Sequence, residues 1–238
     1  MKLSYLLFVL VYALFYQSIK AQNIYNKNVT PEIIAQFADT SNKLIFKNKD
    51  SLIDFTNYFK YVLKFFPTIK YQSIEIIFQP SQHISKVKPA FKSSFQSPEK
   101  RKYKIYFSNS CKSTLDSAIL KNLPDNSRIG LIALQLGQIE DLSTDGFFDI
   151  LAWRFRQISK RAKKKLAYEN ELRLLELGLG YQQLSLSRDV EEKLKVEHWK
   201  DAKAYTKYVK SDKNKFISRV TIANFIRDLP VYASHQYK

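Results

Sequence analysis

The chain has one cysteine, Cys111, and three histidines, His83, His198 and His235, in 238 residues. A single thiol excludes an intrachain disulfide, and no second cysteine stands near it to build a zinc cluster. The histidines are far apart in sequence and share none of the spacings that put two imidazoles on one metal. Glycine and proline are scarce, five and seven residues, which excludes a disordered linker protein. After the N-terminal stretch no apolar run reaches the roughly 20 residues that a membrane-spanning helix needs.

What is present is 45% hydrophobic and 14% aromatic content, enough for one globular domain with a substantial core. Lys2 followed by apolar Leu3 to Tyr16 and then by polar Gln17, Ser18 and Lys20 before small Ala21 reads as a secretory signal. The expected organisation is therefore a signal peptide over 1–21 and one globular domain over 22–238. The product is expected to be periplasmic or extracellular, with no transmembrane segment in the mature chain. The formal charge is +17, and removing Lys2 and Lys20 with the leader leaves +15. Such a field favours anionic partners, including envelope material. The densest basic runs are Lys100 to Lys104 and Lys160-Arg161 with Lys163-Lys164-Lys165. Neither is interleaved with stacking aromatics, which argues against nucleic acid as the partner and for a solvated basic face.

Leu52, Phe55, Phe59, Val62, Leu63 and Phe66 form a helical stripe that Pro67 ends. Ser73 to Gln79 and Lys102 to Ser108 alternate apolar and polar residues with the period of half-buried strands, and Pro80 to Lys100 reads as a polar connection between them. Ser113 can cap a short helix through Leu120. Asp125, Asn126 and Ser127 can cap a longer one from about Arg128, apolar on most of its circumference and so the buried central helix. A helix is expected from about Phe147 into the basic run, another from about Ala167 to Leu177, with Gly178 and Gly180 breaking it. Asp189 could cap a further helix towards Val209, and Ile217 to Pro230 is ambiguous.

Within the central helix, residues 132 to 139 read Ile-Ala-Leu-Gln-Leu-Gly-Gln-Ile. In a zinc-protease helix, two imidazoles four residues apart clamp the metal, and a glutamate after the first activates bound water. Leu134, Gln135 and Gln138 occupy those three positions here. Without any ancestry, the same octapeptide is an ordinary core helix.

Three segments together carry a resemblance: Arg101 to Phe107, Gly130 to Ile139, and Glu169 to Leu184 with its Gly178-Leu179-Gly180-Tyr181. In that order, over roughly residues 71 to 190, they resemble small exported zincin-like proteins of the gluzincin type. The resemblance implies an α+β fold, a mostly helical zincin-like domain with a small β-sheet whose edge strand flanks a buried central helix. It places Leu134 and Gln138 at the two histidine ligands, Gln135 at the general base, and Glu171, or Glu169 with a shifted helix, at the acidic ligand. Neutral amides bind zinc poorly, so the metal is expected to be lost and no cofactor is expected. Gln135 has no accessible basic state near neutral pH. Gln135 and Gln138 could instead hydrogen-bond Glu169 or Glu171 and tie two helices together.

The function expected is a non-catalytic, zincin-like protein that binds peptide or envelope material, with no catalytic residue and no metal site. A peptide would pair with the strand carrying Tyr103, Ile105 and Tyr106. One alternative is an active peptidase built on Glu169, Glu171, Asp145, Asp149 or His198. Another is a basic adhesion protein that works through Lys160, Arg161, Lys163, Lys164 and Lys165.

Overall fold

The computed structural model describes residues 27–36, 44–47, 54–69, 71–89, 96–97, 100–111, 114–144, 159–195 and 217–235. The signal segment, the helix expected from Phe147, Asp145, Asp149, His198 and the stretch towards Val209 lie outside the described residues.

Four strands form a mixed sheet: β1 (Leu44–Lys47), β2 (Ser73–Gln79), β3 (Ser85–Pro89) and β4 (Lys102–Ser108), in spatial order β1-β2-β4-β3. β1, β2 and β4 run parallel, and β3 pairs antiparallel to β4 at the edge. The alternation in β2 and β4 turns Ile74, Ile76 and Phe78, with Tyr103, Ile105 and Phe107, into the core. Helix α2 (Thr56–Leu63) covers them. Its Phe59 meets Phe46 and Phe107 edge-on at 5.6 and 5.8 Å between ring centroids, the offset geometry that aromatic rings prefer. A short helix, α1 (Pro31–Ala35), precedes β1 and is capped by Thr30.

The connection expected over Pro80 to Lys100 holds a strand, β3, which the sequence pattern does not reveal. Only Val87 among Ser85 to Lys88 is apolar and buried. The antiparallel ladder to β4, rather than local propensity, makes this segment a strand.

Helix α3 (Asp125–Thr144) is the buried central helix, with Ile129, Ile132, Ala133, Leu136, Ile139 and Leu142 removed from solvent. The three residues at its start serve as ties to other segments. Tyr58 donates to Asp125 Oδ1 at 2.5 Å, Val29 N–H to Asn126 Oδ1 at 3.0 Å, and Ser127 Oγ to Asp189 Oδ2 at 2.6 Å. Towards its C-terminal end, the Leu142 carbonyl accepts from both Arg101 Nη1 and Tyr103 Oη, each at 3.2 Å. A guanidinium there complements the negative pole of the helix. Arg101 is 2% exposed, so this member of the first basic run is structural rather than part of a solvated face.

Helix α4 (Lys160–Glu176) starts earlier than Ala167, capped by Ser159. It ends in a Schellman turn: Gly178 takes φ 88°, its N–H donates to Leu175 O, and Leu179 N–H reaches Leu174 O. Helix α5 (Gly180–Leu194) follows at once and runs through Asp189, which therefore lies inside a helix rather than capping one. The ambiguous tail contains α6 (Arg219–Asp228), capped by Ser218 Oγ, and a 3-10 turn over Pro230–His235. The fold is α+β, mostly helical with a small mixed sheet. No described helix is long and apolar enough to cross a membrane.

Candidate functional site

The three motif positions sit in the middle of α3. Leu134 and Gln135 are buried, 7% and 5% exposed, and Gln138 is half-buried. The side chain that meets them from α4 is Asn170, 2% exposed, whose Nδ2 donates to the Leu134 carbonyl at 3.0 Å. α4 comes this close because position 137 is glycine. A Cβ there would lie 2.1 Å from Asn170 Oδ1, inside any permissible contact. Asn170 Oδ1 itself is buried without a hydrogen-bond partner and rests against the glycine backbone.

The two glutamates take different roles. Glu169 is exposed and pairs with Lys165 at 3.6 Å, one turn away on the same helix. Glu171 is 7% exposed and lines a cavity of about 10 Å³ with Leu175, Gln183, Leu186, Ser187, Ile217 and Ile222. That cavity is on the scale of a single water molecule, and Leu134, Gln135 and Gln138 do not line it. The α3–α4 tie expected from Gln135 and Gln138 is made instead by Asn170.

Around this cavity α5 carries an internal polar stripe. Gln183 Nε2 donates to the Gly130 carbonyl at 2.9 Å, and Ser187 Oγ to Glu191 Oε1 at 2.9 Å. Glu191 is 4% exposed, with Arg219 Nε at 2.8 Å from its other oxygen. A carboxylate this deep in the fold needs such a cation, because burying an ionised carboxyl alone is very costly. Position 130 is a second close approach: a Cβ would meet the Gln182 carbonyl oxygen at 2.6 Å. The Tyr232 hydroxyl closes the α4–α5 corner by accepting from Gly180 N–H at 2.7 Å and donating to Leu175 O at 2.5 Å.

Sequence reasoning missed Asn170, Gln183, Ser187, Glu191, Arg219 and Tyr232. Gln183, Ser187 and Glu191 recur every fourth residue, a visible signal, but such a polar stripe ordinarily marks a solvent face. Among the described residues no group of three or more His, Cys, Asp or Glu is arranged to hold a metal ion.

The strand assigned to peptide pairing is not an edge. β4 is hydrogen-bonded to β2 on one side and β3 on the other. Tyr103 and Ile105 are wholly buried, and Tyr106 is half-buried on the outward face. The antiparallel edge is β3, which also packs next to α3. Its Lys86, Lys88 and Pro89 are residue types that discourage further strand pairing.

Lys160, Arg161, Lys163, Lys164 and Lys165 all fall in the first turns of α4, and Lys165 is exposed. Cys111 is half-buried, its thiol 3.0 Å from the Ser81 carbonyl and 3.2 Å from Ser108 Oγ. His83 is half-buried in the turn before β3, and burial, reinforced by Lys86, pushes its imidazole below the usual histidine range. No protein-family model, characterised protein or solved structure matches the chain.

Proposed function

We propose that the chain is an exported, non-catalytic binding protein on a zincin-like frame, and that it holds anionic envelope material rather than hydrolysing peptides. The observation that carries this reading is the closed contact of α3 with α4. Leu134 and Gln135 are packed into the interior, and Asn170 seats α4 on Gly137 where an active zincin would need an open metal position. Gln135 offers no base for activating water. The excess of basic side chains supports an anionic partner, and β4, the strand expected to pair with a peptide, already has a strand on each side.

The test is elemental analysis of protein purified without a metal-binding tag, together with digestion of a mixed peptide pool. The expected result is no stoichiometric zinc and intact peptides with or without chelator. Zinc near one per chain, or cleavage that a chelator abolishes, would overturn the reading in favour of a metal-dependent peptidase with a non-standard site.

A further inference from the structure

We infer that the outward face of the four-stranded sheet is a docking surface for a layer of anionic lipid headgroups. The inference rests on the binding reading above and specifies its surface and its partner.

The register fixes which side chains share that face. Lys88 is opposite Lys104, Lys86 opposite Tyr106, Lys104 opposite Glu75, and Lys102 opposite Ser73. Lys47 on β1 stands opposite Ile77. Five lysines from three strands therefore project from one side of the sheet together with Ile45, Ile77 and Tyr106, while Ile74, Ile76, Phe78, Tyr103, Ile105 and Phe107 project from the other. Lys86, Lys88 and Lys102 are exposed, and the side chain of Lys47 is 57% exposed. Glu75 is the one acid on this face within the strands. It pairs with both Lys47 and Lys104, and these contacts, Lys47 foremost, hold its carboxyl below the usual carboxylate range.

Two features make this more than a solvated surface. Lys88 and Lys104 are directly opposed across the β3–β4 ladder, and Glu75, shared between Lys104 and Lys47, offsets only one of the five positive charges, so the face keeps a net excess of four that an anionic layer would relieve. Lys88 leans over the Tyr106 ring, 5.5 Å from its centroid, which keeps the ammonium on the face. At one margin stand Ile45, 49% exposed on the same side, and Tyr71, 72% exposed two residues before β2. Apolar and aromatic groups beside lysines suit the boundary between headgroups and acyl chains.

The distribution of charge selects the partner. The lysines spread across about 14 Å of sheet, three strand spacings, and follow no single groove. A linear polyanion could engage only some of them at once, whereas a planar headgroup layer meets all five. Tyr106 is the one aromatic on the outward face within the strands, so nucleic-acid bases have no stacking ladder there.

The test is cosedimentation of the full chain with vesicles of phosphatidylglycerol and phosphatidylcholine, against phosphatidylcholine alone, at about 0.1 M salt. The apolar residues 3–16 are common to every variant and contribute equally to both vesicle types. Preferential binding to the anionic vesicles is expected. Each lysine removed should weaken it about fivefold, so Lys86→Gln with Lys88→Gln lowers affinity roughly 25-fold. Lys86→Gln with Lys102→Gln serves as a second pair should the first disturb β3, as read by circular dichroism. Lys163→Gln with Lys164→Gln, on α4, should change binding much less. Equal loss from the α4 pair, equal binding to neutral vesicles, or preferential capture by oligoglutamate or an oligonucleotide would each overturn the inference. Failed vesicle binding with zinc-free, inactive protein removes only the lipid surface, and zinc-loaded, active protein that still binds vesicles removes only the non-catalytic reading.

Discussion

Between α2 and the sheet, the interior is made of aromatic and branched side chains: Phe59, Phe78 and Phe107 meet ring to ring over Ile74, Ile76 and Ile105. Among α3, α4 and α5 aliphatic side chains such as Ile132, Leu136, Leu174 and Leu186 also pack, but glycines and amides interrupt them, with Gly130 against Gln182 and Gly137 against Asn170. The first region is held by the area it removes from water, which is non-directional and tolerant of shape. The second adds to such burial a dependence on close backbone approach and on hydrogen bonds inside a low-dielectric interior, where an unmade bond is costly. The aromatic layer should therefore respond to lost volume, and the helical layer to added volume or a missing polar atom.

The largest effect is expected from Phe107→Ala, which empties a wholly buried ring position and should cost about 3–5 kcal/mol in urea unfolding. Next comes Gly130→Ala. Helix propensity alone would favour alanine by about 1 kcal/mol, but the added methyl meets the Gln182 carbonyl, and the net expectation is a loss of about 1–3 kcal/mol. A stabilised Gly130→Ala protein would break the comparison, because the helical layer would then have slack. The smallest is Tyr232→Phe, expected to cost about 1–2 kcal/mol by leaving the Gly180 amide without its acceptor. Hydrogen exchange at Gly180 should accelerate while exchange in β2 and β4 is unchanged; equal acceleration in both regions would mean that the two layers open as one unit.

The same contrast explains what could be read in advance. β2 and β4 were legible to the residue because Ile74, Ile76 and Phe78, like Tyr103, Ile105 and Phe107, alternate with polar neighbours, and one-sided burial writes itself into sequence as a period of two. α3 was legible as buried because apolar residues surround it. β3 was not, since an edge strand with one buried residue owes its conformation to the partner strand. Taking β4 for the edge followed from that omission, and the peptide-pairing roles of Tyr103 and Ile105 fell with it.

Residues 134, 135 and 138 lie on the buried helix and Glu171 is buried on α4, but the cavity that Glu171 lines is shared with α5 and α6 and not with those three positions. Asn170 could not be singled out, because an asparagine between two glutamates gains its meaning only from a carbonyl 36 residues away. Arg219 and Glu191 are likewise joined across residues that carry no local pattern. Asp189 resembled a helix cap because its partner, Ser127, is remote.

Gly130 and Gly137 stand two helical turns apart, so both notches open on nearly the same flank of α3. Steric exclusion at these two positions is independent of any chemistry the helix performs. Substitution at 134, 135 or 138 leaves both notches in place, whereas a branched residue at 130 or 137 would pry the bundle apart. Distant kin of this chain should accordingly be recognisable by a small residue, six variable positions and a second small residue on a buried helix. A search keyed on spacing of that kind follows the architecture, while one keyed on the side chains at 134, 135 and 138 follows positions that the two notches do not fix.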